Sequence, residues 1–229
     1  VAGMVDAAIG GKTAINSTYG KNLIGAFHSP VGVLIDLDFI KSLEARDVSA
    51  GMAEVIKCGF IADREILELL RNKSLKDVLN DPALQEELIF RAVSVKAGVV
   101  GIDFKESYER EILNYGHTLG HAIEKHSGFT LRHGEAVAIG MCFIAELARL
   151  RIGLAEDVVV LHRELIQGMK LPISYKKEVW DELLDLMALD KKAKAGTIRF
   201  VAIDAISSCT RIEDATFDEM KLAYERISL

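Results

Sequence analysis

The sequence predicts a mainly α fold, with a short glycine-rich segment before the helical body and a small two-stranded element near the C-terminus. Three observations carry this. After about Asp47 apolar residues recur with helical periodicity and proline, which removes a helical hydrogen-bond donor, almost vanishes. Residues 1–40 instead hold Gly3, Gly10, Gly11, Gly20, Gly25, Pro30 and Gly32, with one strand-like run, Val31 to Ile35. Two further short runs, Thr197 to Asp204 and Ser208 to Ile212, read as strands.

Taken in order, residues 1–40 look like loops on the edge of a sheet, and the change of pattern marks a domain boundary near residue 40. A helix follows from about Asp47 to Ala62. Asp81-Pro82 makes a good helix start, a capping side chain before proline at the first helical position, for a helix reaching about Val100. The next spans roughly Tyr108 to Lys125. A nearly all-apolar helix from Gly134 to Leu150 should be buried on most sides and central. Beyond Leu171-Pro172 come a helix around Lys177 to Ala188, a polar Asp190-Lys191-Lys192 turn, the two strands, and a last helix opened by a Thr216/Glu219 capping box.

The 229 residues are 50% hydrophobic, enough for a substantial core. A net charge of −6 with acids interleaved among the Lys and Arg argues against a nucleic-acid partner and for a small-molecule ligand. Cys58, Cys142 and Cys209 lack metal or redox spacing and read as packed thiols of a reducing compartment. The longest apolar run, Ala136 to Ala145, is too short for a bilayer, so no membrane partner and a cytoplasmic location are expected. The chain opens on Val1, directly on a motif-like segment, and the natural N-terminus is expected upstream.

On a helix over Tyr108 to Lys125, Ile112, Tyr115, Leu119 and Ile123 share the face that a core requires. Arg110, Asn114, His117 and His121, spaced 4, 3, 4, fall in an opposite strip about 60° wide. A merely solvated strip would favour Glu, Lys and Gln, and would not carry Gly116 and Gly120 at about 1 kcal/mol each. The strip therefore reads as an anion-and-metal surface. His133 sits at the start of the apolar helix, where the dipole disfavours an imidazolium and keeps a lone pair free, although a lone His there is more often a cap. Glu54 and Lys57, one turn apart, read on their own as an ordinary exposed ion pair. Two His and one carboxylate are nevertheless the ligand set of open zinc sites, and Glu54, His117 and His133 complete one. Lys96 lies on the apolar side of its helix, where a cation needs an anionic partner or ligand.

Near the N-terminus, Asp6-Ala7-Ala8-Ile9-Gly10-Gly11-Lys12-Thr13 ends like a phosphate-binding P-loop but has Asp6 where that motif needs its first glycine. Backbone amides and the ammonium groups of Lys12 and Lys21 can still meet a phosphate.

Read together, VDAAIGGKTAIN, GKNLIGAFHSP, GMAEVIKCGFIAD, LNYGHTLGHAIE and LRHGEAVAIGM resemble, in order and spacing, the signature segments of the 3-dehydroquinate synthase family of sugar-phosphate cyclases. The resemblance runs from Val1 to about Arg149 and more loosely through DKKAKAGTIRFV to the end. It implies the helical metal-binding C-terminal domain of that fold (41–229), preceded by the last α/β-derived segment of an NAD-binding domain (1–40), whose upstream part would be a partner of this chain. It implies Glu54, His117 and His133 as metal ligands for Zn2+ or Co2+. Lys57, Lys96, Arg110, Asn114 and His121 would be catalytic, and Asp6, Lys12, Asn22 and one of Lys191 and Lys192 would contact substrate. Lys12, Lys21 and the run Phe39, Ile40, Lys41, Ser42 match stretches that line the NAD site. Phe104 departs from the pattern, standing where relatives usually carry an acid.

The implied activity is conversion of 3-deoxy-D-arabino-heptulosonate 7-phosphate to 3-dehydroquinate and phosphate in the shikimate pathway, with NAD and a divalent metal, in a homodimer. A cyclase acting on another sugar phosphate would share the metal ligands and differ at substrate positions. A glycerol dehydrogenase-like enzyme would lack the carboxylate and phosphate contacts. A non-catalytic metal-binding or dimerising module is the reading from outside enzymology.

Overall fold

The computed structural model of the chain describes residues 1–18, 20–103, 109–192 and 198–229; for residues 16, 17, 20–23, 109 and 190–192 it describes the backbone alone. A short π-helical turn, Gly3–Ala7, leads into an antiparallel hairpin of β1 (Lys12–Ser17) and β2 (Gly20–Phe27), in which Lys12 pairs with Phe27 and Ile15 with Ile24. A 3-10 turn, Leu37–Ser42, precedes α1 (Ala45–Ile61), and the short α2 (Arg64–Leu70) and α3 (Leu75–Asn80) follow. Helix α4 (Pro82–Ile102) begins as its sequence dictates, the Asp81 carboxylate accepting from the Leu84 amide. A 3-10 turn, Glu109–Asn114, then leads to α5 (His117–His126), α6 (His133–Ile152), α7 (Glu156–Gly168) and α8 (Trp180–Lys192). Strands β3 (Phe200–Ala205) and β4 (Ser208–Ile212) pair antiparallel, and α9 (Phe217–Glu225) carries the expected Thr216/Glu219 capping box.

Helix α6 is the axis of the body. From Gly134 to Ala148 it is buried continuously, with α5, α1, α7, α9 and β3 packed round it. Glycines set how closely its neighbours approach. A Cβ on Gly134 would lie 1.7 Å from the Ala50 carbonyl oxygen, so α1 and α6 touch backbone to backbone. Gly116, at φ +77°, caps α5 in a left-handed conformation, and a Cβ there would meet the Met141 amide nitrogen of α6 at 2.9 Å. Among the described residues no helix is long and apolar enough to cross a membrane.

Several local expectations change. The single helix over Tyr108 to Lys125 is a 3-10 turn and an α-helix separated by Tyr115-Gly116, because Gly116 takes a conformation that no α-helix can hold. Val31 to Ile35 forms no strand; the strands of this segment lie earlier, in β1 and β2, where glycine had pointed to loops. The polar Asp190-Lys191-Lys192 turn is the last turn of α8, and that helix opens through a 3-10 turn at Lys177–Val179. Cys58 and Cys142 are buried, and burial pushes both thiols up to about 12, which leaves them inert.

Candidate metal and substrate site

Three elements bring Glu54, His117 and His133 together. Glu54 projects from the middle of α1, while His117 and His133 are the first residues of α5 and α6. The His117 Nδ1–H donates to the Tyr115 carbonyl at 3.0 Å, leaving Nε2 bare and 3.7 Å from Glu54 Oε1. On the other side, His133 Nδ1 donates to Glu124 Oε2 at 3.0 Å and turns its Nε2 to within 3.3 Å of the same Glu54 oxygen. That oxygen is buried and makes no hydrogen bond, whereas Glu54 Oε2 accepts from Lys57. A carboxylate oxygen and two imidazole nitrogens converging on one point are the ligand set of a divalent cation, so the residues fit a metal.

Electrostatics favours Glu54 and His117 as ligands and sets a proton against the metal at His133. Burial works against the Glu54 carboxylate, but the Lys57 ammonium and the two imidazoles hold it well below its ordinary pKa. Burial, and then the charge of Lys57, push His117 down, keeping it a neutral ligand. Burial also opposes a charge on His133, yet the hydrogen bond to Glu124 and the negative charges of Glu54 and Glu124 outweigh it and raise that imidazole to about 10. The neutral His133 expected from the helix dipole does not hold: two carboxylates override the dipole, and a proton competes with a cation for His133. The exposed ion pair is corrected too, for Glu54 and Lys57 are each 2% exposed.

Above the trio opens a cavity of about 730 Å3. Its lining comes from the hairpin and the π-helical turn, which supply Lys12 and Asp6, and from α1, α4, α5 and the 3-10 turn before α5, which supply Lys57, Lys96, Arg110, Asn114 and His121. Lys96 donates to both the carboxylate and the carbonyl of Asp6, the anionic partner its apolar surroundings demanded. Arg110 is buried, its Nη2 donating to the Gly10 carbonyl at 3.1 Å and its amide to Asp103 Oδ2 at 3.1 Å. The four cations Lys12, Lys57, Lys96 and Arg110, set against Asp6 and the underlying Glu54, suit an anionic ligand. Arg110, Asn114, His117 and His121 thus meet at one cavity although they do not share one helix.

Other expected positions are elsewhere. Ile40 and Lys41 line a separate hollow of about 290 Å3, Phe39 is exposed, and the Ser42 hydroxyl donates to the Phe39 carbonyl. Lys21 and Asn22 lie in β2 and Lys191 and Lys192 in the last turn of α8, with side chains outside the described residues, and Phe104 lies outside them altogether. Among the described side chains of the NAD set, Lys12 lines the cavity and Phe39, Ile40, Lys41 and Ser42 do not. Sequence reasoning missed Glu124. Its signal was available, since Glu124 stands seven residues after His117 and three after His121 and so shares their helical face.

The family model described as 3-dehydroquinate synthase C-terminal matches residues 51–193, and that described as 3-dehydroquinate synthase N-terminal matches residues 1–50. The chain belongs to the 3-dehydroquinate synthase family. It is 50% identical over 226 residues to the 3-dehydroquinate synthase of Corynebacterium diphtheriae, covering 99% of this chain and 63% of that protein. With the 3-dehydroquinate synthase of Thermobifida fusca it shares 48% over 226 residues, 99% of this chain and 61% of the relative. The chain therefore spans a little under two thirds of these relatives. Among solved structures, the 2-epi-5-epi-valiolone synthase of Streptomyces hygroscopicus subsp. jinggangensis, with NAD+ and Zn2+ bound, superposes with a TM-score of 0.88 at 26% identity, covering 99% of this chain and 63% of that one. A 2-deoxy-scyllo-inosose synthase complexed with carbaglucose-6-phosphate, NAD+ and Co2+ gives 0.80 at 25% identity, covering 98% and 64%. A 3-dehydroquinate synthase-family frame thus holds the Glu54, His117, His133 cluster at the floor of its cationic cavity.

Proposed function

We propose that the polypeptide carrying this chain converts 3-deoxy-D-arabino-heptulosonate 7-phosphate to 3-dehydroquinate and phosphate. The observation that carries the reading is the convergence of the Glu54 carboxylate and the His117 and His133 imidazoles beneath a cavity lined by Lys12, Lys57, Lys96 and Arg110, in a chain of this family. Within it, residues 1–40 are the terminal segment of an NAD-holding α/β domain and residues 41–229 the metal- and substrate-binding domain.

Glu54, His117 and His133 hold Zn2+ or Co2+, which supplies Lewis acidity to a substrate oxygen when bound. Lys57, kept charged by Glu54 despite burial, is a fixed cation rather than a base. Arg110 and Lys96 suit the substrate carboxylate, Arg110 because guanidinium pairs bidentately; Lys12, Asn114 and His121 suit its phosphate, with Asp6, Asn22 and one of Lys191 and Lys192 completing the contacts. The substrate phosphate, held close, can accept a proton itself, so no side-chain base is demanded. NAD+ comes to this reading from the resemblance and from the neighbours whose structures hold it.

The test pairs metal content with turnover in the natural polypeptide. His117→Ala and His133→Ala should each abolish stoichiometric Zn2+ by elemental analysis. Arg110→Ala should keep the metal yet lower kcat/KM by about 2 to 4 kcal/mol, as truncated buried charge pairs do. Failure of the wild type to form 3-dehydroquinate with NAD+ and Zn2+ would overturn the proposal.

A further inference from the structure

We propose that His162, a fully buried histidine of α7 remote from the cavity, is a positioning residue for the metal centre and acts through Tyr115 on His117. The inference rests on the metal-centre reading above and extends it to a residue outside the cavity lining.

The hydrogen-bond directions are fixed by chemistry. His162 Nδ1 lies 2.7 Å from the Val158 carbonyl, which can only accept, so Nδ1 carries the proton and Nε2 is the acceptor. The partner of Nε2 is the Tyr115 hydroxyl at 2.9 Å, which must then donate. Tyr115 in turn offers its carbonyl to His117 Nδ1–H at 3.0 Å, and that bond leaves His117 Nε2 as the ligand nitrogen. The chain Val158, His162, Tyr115, His117 therefore runs without a break from α7 to the metal trio. Gly116 makes the Tyr115 side chain matter. Lying between Tyr115 and His117 at φ +77°, it has no Cβ to restrict the peptide, so the anchored phenol adds its hold on the carbonyl's direction to that of the Tyr115 N–H bond to Ile112 and the Gly120 N–H bond to Gly116. The same imidazole stacks on Phe60 of α1 at 3.5 Å between centroids and 7° between planes, and α1 carries Glu54. One buried ring thus touches the helix of one ligand and the turn that orients another.

The bland account is a satisfied core histidine, filling space with both nitrogens paired. The two accounts differ at the metal. Co2+ can stand in for Zn2+, giving a visible spectrum that reports ligand geometry and, by competition with a chelator, a Kd. Measured on the whole chain, Tyr115→Phe deletes one hydroxyl; it should alter the Co2+ bands and weaken binding by about 3- to 10-fold, below the roughly 10- to 100-fold of a group hydrogen-bonded directly to a ligand. His162→Leu should do the same, and His162→Gln, which keeps a donor and an acceptor, should recover part of the loss. If His162→Leu does not fold, Tyr115→Phe decides the matter. A lowered Tm with unchanged Co2+ spectrum and Kd in Tyr115→Phe would overturn the inference in favour of the bland account. A wild-type chain that binds no Co2+ would instead overturn the metal-centre reading, and this inference with it.

Discussion

The two sides of the cavity are built on different terms. On the helical side, the ligands sit on α1, α5 and α6, and the closeness of those helices is the same fact as the closeness of the ligands: Gly134 at the Ala50 carbonyl and Gly116 at Met141 bring backbones together. The hairpin side contributes Lys12 but no described residue of β1 or β2 to the core, and Ile15, Ile24 and Phe27 are 64%, 60% and 59% exposed. Stability and site geometry are therefore one property on the helical side and separable on the hairpin side.

The strongest attempt to break this contrast is Gly134→Ala. The added methyl meets backbone oxygen rather than a movable side-chain tip, so α1 and α6 must part. We expect a loss of about 3 kcal/mol or more in urea unfolding, at the upper end of overpacking costs. Metal affinity should fall with it, because Glu54 lies one turn beyond Ala50 and His133 is adjacent to Gly134. A variant within about 1 kcal/mol of the wild type would show that the helices can relax without disturbing the ligands.

A second prediction sharpens the contrast through pH. Burial pushes His162 down to about 4 from its ordinary 6.5, and the groups its ring meets are the Tyr115 hydroxyl, the Val158 carbonyl and Phe60. A depressed histidine is neutral in the folded chain and protonated in the unfolded one between these values, so the unfolded state takes up more protons and stability drops as pH falls from about 6.5 to about 4. The integrated contribution is about 3 kcal/mol, best isolated as the difference between the wild type and His162→Gln, which does not titrate. A gap that stays constant from pH 7 to pH 4 would mean that His162 takes up its proton as readily in the folded chain as in the unfolded one.

The sequence's legibility divides along the same line. Helical periodicity gave α1, α4 and α6 to within a few residues, and the Asp81-Pro82 and Thr216/Glu219 signals marked real helix starts, because burial and capping are local chemistry. The Arg110 to His121 strip converged for a reason that the helical wheel did not contain: Gly116 breaks the helix, and the 3-10 turn before it still delivers Arg110 and Asn114 to the cavity. Tertiary contacts hid the rest. Nothing local distinguishes a buried Glu54–Lys57 pair from a solvated one, and His162 lies among Val159, Leu165 and Ile166 on the apolar face of α7, where its partner Tyr115 is distant in sequence. The hairpin went unread because the described residues of β1 and β2 are exposed on both faces, which leaves no alternation to detect.

The smallest expected effect tests the hairpin side. Ile24 pairs with Ile15 across β1 and β2 and keeps most of its surface in solvent, so Ile24→Ser removes little buried apolar area. Stability of the chain should stay within about 0.5 kcal/mol of the wild type, the range of ordinary surface substitutions. Metal affinity should be unchanged as well, since the ligands and their hydrogen-bond partners Glu124, Tyr115 and Lys57 all stand on other elements. Urea unfolding and Co2+ titration of the same sample check both. A loss above about 1 kcal/mol would mean that the hairpin unfolds together with the helical body. In that case Lys12 would be held as firmly as Lys57, and the separation of stability from site geometry on this side would have to be abandoned.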